Sequence, residues 1–308
     1  MPLYRRLIVA LSVFLFSCAA DEGPATGADA GTEEADSGPM CGTPPLQPAW
    51  LADFQDEVVA KLSGEIEVAP GVSLSQRATA MERGRAQVFI EEELEAMGYQ
   101  VQRHDYGAGT NVFVELEGTG EGTYVLGAHF DTVQLSPGAN DNATGVAAVL
   151  ATARFLREQE CRTNNVIFVL FDQEEIGLVG SRAFAQKLDG DAREILGVYT
   201  LDQLGWDEDQ DRRIEIELPA VGMLAQVQAS ISAHQLAVPI VETGTAGSDH
   251  TAFRELGFPA AGITEEYVNG DTTPHYHLNT DTYATVNFEF LASCTGVVEA
   301  LFSDLSTE

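Results

Sequence analysis

Between Gly127 and Gly145 the chain reads GAHFDTVQLSPGANDNATG and brings His129, Asp131 and Asp141 close together. An apolar run from Thr123 to Ala128 precedes them and a helical pattern from Thr144 to Glu158 follows. A strand is therefore expected to deliver these side chains to a loop that opens a helix. Imidazole nitrogen and carboxylate oxygen are donors for a divalent metal. His129 offers a neutral ring, Asp131 can hold its other nitrogen in the correct tautomer, and Asp141 adds a ligand after a turn at Pro137 and Gly138. A hydrogen-bonded strand-end histidine with turn-capping aspartates would explain the same stretch without a metal, so the decision falls to the rest of the chain.

Two further apolar runs end the same way. Asn165 to Phe171, NVIFVLF, has the pattern of a central strand covered on both faces, and Asp172, Gln173, Glu174 and Glu175 follow it. Gly197 to Leu201, GVYTL, ends at Asp202. In open α/β sheets ligands bind beyond the carboxyl ends of the strands, so three polar strand ends are expected to converge on one crevice. Glu265 to Thr282 is a polar, irregular stretch holding His275 and His277, two of the six histidines. Its length inside a compact domain reads as functional.

The elements that position these residues follow from periodicity. Helices are expected over Pro48–Leu62, Ser75–Met97, Thr144–Glu158, Gly180–Leu188, Ala220–Ala233, Thr251–Leu256 and Val286–Leu305. Strands are expected over Gln100–Asp105, Asn111–Glu117, Thr123–Ala128, Asn165–Phe171, Gly197–Leu201 and Ala260–Thr264. Arg213–Leu218 and Pro239–Glu242 read as edge or flanking strands.

The 308 residues carry 48 acidic against 16 basic side chains, a formal net charge of -32, which repels phosphate and excludes nucleic acid as a partner. Residues 1–18 read as a lipoprotein-type signal: Arg5 and Arg6, an apolar core from Leu7 to Phe16, and Cys18 as the lipidated residue. Ordinary secretion with cleavage near Ala19 or Ala20 is the alternative. Residues 19–45 read as a disordered acidic tether, and residues 46–308 as one catalytic domain. The expected location is the cell envelope, lipid-anchored, with the membrane touched only through Cys18; the alternative is a secreted protein. Disulfides can form there, and Cys41, Cys161 and Cys294 leave three pairings open. Zinc-ligand cysteine spacing is absent.

Together, GAHFDT, SPGANDNATG, FDQEEIGLVGSRAF, LDQLGW, SDHTAF and YHLNTDT resemble the co-catalytic dizinc aminopeptidases typified by bacterial leucyl aminopeptidase, from about Arg77 onward. The resemblance implies a three-layer α/β/α fold whose mixed, mainly parallel sheet of about eight strands lies between helices. It also implies two Zn²⁺ per chain and a zinc-dependent exopeptidase acting on peptides with a free N-terminus. Carried over residue by residue, His129 and Asp202 resemble the ligands of one zinc, Glu175 and His277 those of the other, and Asp141 the bridging carboxylate. A shared carboxylate screens two ions about 3.5 to 4 Å apart.

Glu174 resembles the family's general base and is expected to point away from its ligand neighbour, as consecutive residues of an extended segment do. Asp131 orients His129. The His-x-x-x-Asp-Thr pattern selects His277, with Asp281 and Thr282, over His275. The Asp141–Asn142 bond falls where the family often has a cis peptide. His250 is expected to be structural, and His104 and His234 ordinary. Two departures bear on substrate preference: no tyrosine precedes Ser248, leaving Tyr267 or Tyr276 to assist an oxyanion, and Gln203 stands where an apolar residue is frequent. A glutaminyl cyclase-like acyltransferase, a carboxypeptidase or dipeptidase of the same fold, and a catalytically silent binding lipoprotein are the alternatives. A monomer is expected.

Overall fold

The computed structural model describes residues 42–191, 193–268 and 270–308. Its strands are β1 (Gln102–Asp105), β2 (Thr110–Leu116), β3 (Thr123–His129), β4 (Asn165–Phe171), β5 (Ile195–Asp202), β6 (Ile214–Glu217), β7 (Ile240–Thr243) and β8 (Ala260–Glu265). Its helices are α1 (Leu51–Leu62), α2 (Ala80–Ala96), α3 (Gly145–Glu158), α4 (Val179–Gly190), α5 (Met223–Ala233), α6 (His250–Glu255) and α7 (Phe288–Thr307). The strands form one sheet in the order β1-β2-β4-β3-β5-β8-β6-β7. β3 lies parallel to β4 and β5, β5 to β8, and β6 to β7; the remaining pairings are antiparallel. The sheet is therefore mixed and mainly parallel, as expected.

Alternation along β4 builds the layers. Val166, Phe168 and Leu170 enter the larger core with α1, α2, α3, α5 and α7, while Ile167, Val169 and Phe171 enter a smaller core with α4 and α6. Burying a side chain such as Phe168 contributes roughly 1.5–3 kcal/mol, and a strand with both faces covered contributes on each. That explains the unbroken apolar run and fixes the ends of β3, β4 and β5 beside one another at the centre of the sheet.

One boundary differs in a way that matters for the site. The periodicity predicts a helix from Ser75, but α2 starts at Ala80. Thr79 caps it by accepting the Glu82 N–H at 3.3 Å, and Glu82 turns back to accept the Thr79 N–H at 3.4 Å. Residues 75–78 stay outside the helix, and Arg77 is directed into the interior. Likewise α5 begins at Met223, not Ala220, because Gly222 sits at φ 94° before the first turn.

Cys161 is disulfide-bonded and Cys294 is a free, buried thiol on α7, so both pairings that use Cys294 are ruled out. The signal segment, Cys18, Cys41 and most of the acidic stretch lie outside the described residues. From Gly42 the chain is attached to the domain: Gly42 O accepts from Glu160 N at 3.4 Å, and the Gln47 N–H donates to Glu299 Oε2 at 2.8 Å. No helix of the described residues is long and apolar enough to cross a membrane.

Candidate metal centre

The loop between β3 and α3 is held from several sides. It winds through a π-helical turn over Ala139–Thr144 in which Asp141 and Asn142 leave helical geometry, and the Asp141–Asn142 peptide is cis. Asp281 accepts the Asn140 N–H at 2.8 Å and the Asp141 N–H at 3.0 Å, one on each carboxylate oxygen. Asn140 Nδ2 donates to Glu265, and Asn142 Nδ2 donates to Leu201 O at 2.8 Å. Gly138, at φ 66°, leaves no space for a side chain: a Cβ there would come within 2.2 Å of Thr132 and 2.8 Å of Arg77.

This scaffold aims the two oxygens of Asp141 at different histidines. Its Oδ1 lies 3.4 Å from His129 Nε2, and its Oδ2 lies 3.3 Å from His277 Nε2. His129 Nε2 also faces Asp202 Oδ1 at 3.4 Å, and His277 Nε2 faces Glu175 Oε2 at 3.0 Å. Two donor sets result, His129 with Asp141 and Asp202, and His277 with Asp141 and Glu175, each with its ligand atoms within 4.8 Å of one another. All five ligand residues named from the sequence meet here.

The surrounding residues orient them. Asp131 stands 3.5 Å from His129 Nδ1 and accepts the N–H groups of Glu174 at 2.9 Å and Glu175 at 3.2 Å, so it also aligns the segment after β4. Ser248 donates to Asp202 Oδ2 at 2.7 Å, Val133 N–H to Glu175 Oε1 at 3.1 Å, and Tyr276 stacks on the His277 ring at 3.7 Å. Glu174 and Glu175 do not face opposite ways. Gln173, at φ 64°, breaks the extended backbone, and each carboxylate brings one oxygen within 4.8 Å of the same His129 ring nitrogen. Glu174 then lines the adjoining cavity.

Electrostatics show what the cluster lacks. Among the described residues no Lys or Arg pairs with Asp141, Glu174, Glu175 or Asp202, and the ion-pair contacts of Asp141, Glu175 and Asp202 are all with histidines. Burial pushes Glu174 up to about 10 and raises Glu175 as well. Burial alone would lower His277, but hydrogen bonds to Asp141 and Glu175 carry it up to about 10. The protein alone thus gathers protons into a site rich in carboxylates, as expected of a donor set that wants cations. Oxygen and imidazole donors without thiolate suit a borderline divalent ion such as zinc.

Other sequence expectations resolve simply. His250 Nε2 donates to Thr245 O at 3.1 Å, His234 meets Asp304 at 2.9 Å, and His104 packs on Phe184. His275 is turned to Thr280 and Trp206, away from the cluster. Sequence reasoning missed Arg77 and Glu265, and placed Asp281 only in a motif. The Thr79-x-x-Glu82 capping signature was the available hint for Arg77; nothing local marked Glu265.

Residues 111–302 match the sequence profile of peptidase family M28. The chain belongs to that family. It is 27% identical over 230 residues to the "probable leucine aminopeptidase" of Trichophyton verrucosum, covering 70% of this chain and 62% of that protein. It is 30% identical over 202 residues to the "probable lipoprotein aminopeptidase LpqL" of Mycobacterium tuberculosis, covering 56% of this chain and 40% of that protein. The chain thus spans less than two thirds of the length of these relatives. The Legionella pneumophila LapA aminopeptidase crystal structure shares the fold at a TM-score of 0.75, with 20% identity over 83% of this chain and 72% of that one.

Proposed function

We propose that this M28 chain is a zinc-dependent exopeptidase, an aminopeptidase that removes N-terminal residues from peptides. Two Zn²⁺ per chain would be held by His129 with Asp202 and by His277 with Glu175, sharing Asp141. The observation that supports this is the split of Asp141, one oxygen toward each histidine at 3.4 and 3.3 Å. Bound zinc supplies Lewis acidity toward water and the scissile carbonyl oxygen.

The side chains carry the rest. Glu174 takes the proton of the attacking water and returns it to the leaving amine. Asp131 holds Glu174 in place through its backbone and fixes the His129 ring. Asp281 sets the Asp141 backbone, and Ser248 turns Asp202. The adjoining cavity measures about 80 Å³, far below the ~300–1000 Å³ of pockets for drug-sized ligands.

Aminoacyl anilides tested with metal-stripped and zinc-restored protein decide the reading. Hydrolysis that disappears on stripping and returns with zinc is expected. Cyclisation of glutaminyl peptides, or release of C-terminal residues, without anilide hydrolysis would replace it. Residues 1–18 serve on this reading as a lipoprotein signal, the acidic stretch from residue 19 as a tether that ends where Gly42 attaches to the domain, earlier than the expected residue 45, and the rest as a monomeric catalytic domain at the cell envelope. The relative named a lipoprotein aminopeptidase supports that location, and release of the protein from membranes by Cys18→Ala tests it.

A further inference from the structure

The cavity beside the metal centre ends on a carboxylate that the proposed mechanism does not use. Glu217, the last residue of β6, lines that cavity together with Gln203, Thr245 and Thr264 and is 4% exposed. β6 reads Ile-Glu-Ile-Glu, an alternation that in a half-exposed strand would send both glutamates to water; here all four residues are buried. Gly262, opposite Glu217 on β8, makes the room. A Cβ at Gly262 would lie 2.7 Å from Glu217 Oε2 and 2.7 Å from His250 Nδ1.

Among the described residues Glu217 has no Lys or Arg at ion-pair distance. Its only ion-pair contact there is His250 Nδ1 at 3.7 Å. That ring is no cation. Burial lowers its proton affinity, and its Nε2 donates to Thr245 O, which leaves Nδ1 as a bare acceptor facing the carboxylate. Glu217 is therefore a buried acid with an acceptor behind it, one hydrogen bond from the Thr245 side chain and a cavity that it lines.

The geometry points to Glu217 as the specificity residue of the cavity, selecting peptides whose N-terminal residue is lysine or arginine; this rests on the aminopeptidase reading above. Distance separates a side-chain cation from the α-ammonium. Asp202 on β5 lies opposite Thr264 on β8, and β6 is the strand beyond. Glu217 itself pairs with Gly262, two residues along β8 from Thr264, so with strands about 4.8 Å apart and about 3.3 Å per residue its backbone lies roughly 11–12 Å from that of Asp202. An α-ammonium held beside the scissile carbonyl falls short of Glu217, whereas a lysine or arginine stem bridges the gap. Tyr267 and Tyr276, whose rings lie 5.7 Å apart, form a wall suited to that aliphatic stem. The formal charge of -32 draws basic peptides toward the cavity. Burial, with Asp202 and Glu215 adding to it and a Thr245 hydrogen bond opposing them, pushes Glu217 up to about 8, so it holds a proton at neutral pH that an entering cation displaces.

The test is kinetics of the zinc-loaded full chain on lysyl, arginyl, leucyl and norleucyl anilides, with competitive inhibition by lysinamide against leucinamide as a second measure. The wild type is expected to favour lysyl and arginyl over norleucyl by about tenfold or more in kcat/KM. Glu217→Gln, which preserves shape, should reduce that preference by about tenfold or more, mainly through KM. Preference for leucyl or norleucyl in the wild type, or an unchanged ratio in the variant, overturns the inference while leaving an aminopeptidase. Equal loss on all four substrates also overturns it, assigning Glu217 to the α-ammonium. Hydrolysis of none of them overturns the aminopeptidase reading itself. If Glu217→Gln fails to fold, the wild-type ratio and the lysinamide-to-leucinamide inhibition ratio decide alone.

Discussion

Arg77 and the carboxylates of the metal centre are both buried charges around the same loop, yet the chain completes one and leaves the other open. Arg77 is fully buried, and its guanidinium donates to four backbone carbonyls: Phe130 at 2.6 Å, Leu62 at 2.6 Å, Pro137 at 2.7 Å and Gly138 at 2.8 Å. Burial lowers its pKa only to about 10, so it remains a cation at neutral pH. Asp141, Glu174, Glu175 and Asp202 have no such closure, and their missing partners must come from outside the chain. A charge satisfied by the fold serves stability. One left wanting serves a ligand, at some cost to the empty protein.

The sharpest way to break this contrast is to neutralise one member of each group. Glu174→Gln should lower kcat by about 10²–10⁴-fold, the usual share of a general base, while zinc content and the melting temperature of the metal-free protein hold or rise. Undiminished kcat would remove Glu174 from the chemistry. Arg77→Met should act in the opposite sense, costing about 3–5 kcal/mol in urea unfolding whether or not zinc is present, because four buried carbonyls lose their donor. A stability loss that appears only with zinc bound would make Arg77 part of the metal centre.

Asp281 stands between the two, since it fixes backbone on behalf of a ligand. Asp281→Asn puts an amide where two N–H groups already point, and zinc affinity should fall by about 10–100-fold with little change in global stability. Competition with a chelating dye reads that affinity. An unchanged value would show that Asp141 needs no such support.

Glu299 offers the mildest test, being a buried acid far from the site. Burial raises it to about 7, and among the described residues only the Gln47 N–H supports its charge. An acid raised in the folded state stabilises fully below its unfolded pKa of 4.5, and this contribution disappears as pH rises through about 7. Glu299→Gln should therefore match the wild type near pH 4 and exceed it by about 1–2 kcal/mol at pH 8. Parallel stability curves for the two proteins would contradict this.

The same division explains what could be read from the sequence. Strands β3, β4 and β5 announced themselves because strands buried on both faces need unbroken apolar runs, and the polar residues ending those runs became visible by contrast. Residues whose role is to hold others left no such trace. Glu265 reaches across the sheet to Asn140, Gly205 and Trp206, a relation that only three-dimensional register creates. Arg77 sits just outside a helix whose periodicity blurred its start. Glu217 was hidden by an alternation that ordinarily signals an exposed face.

Counting the zinc bound to metal-stripped protein during titration, alongside anilide hydrolysis, tests the central claim most directly. The wild type should take up two ions per chain and regain activity, whereas His277→Ala should lose one ion and its hydrolysis. Equal zinc content and equal activity in the two proteins would contradict the account.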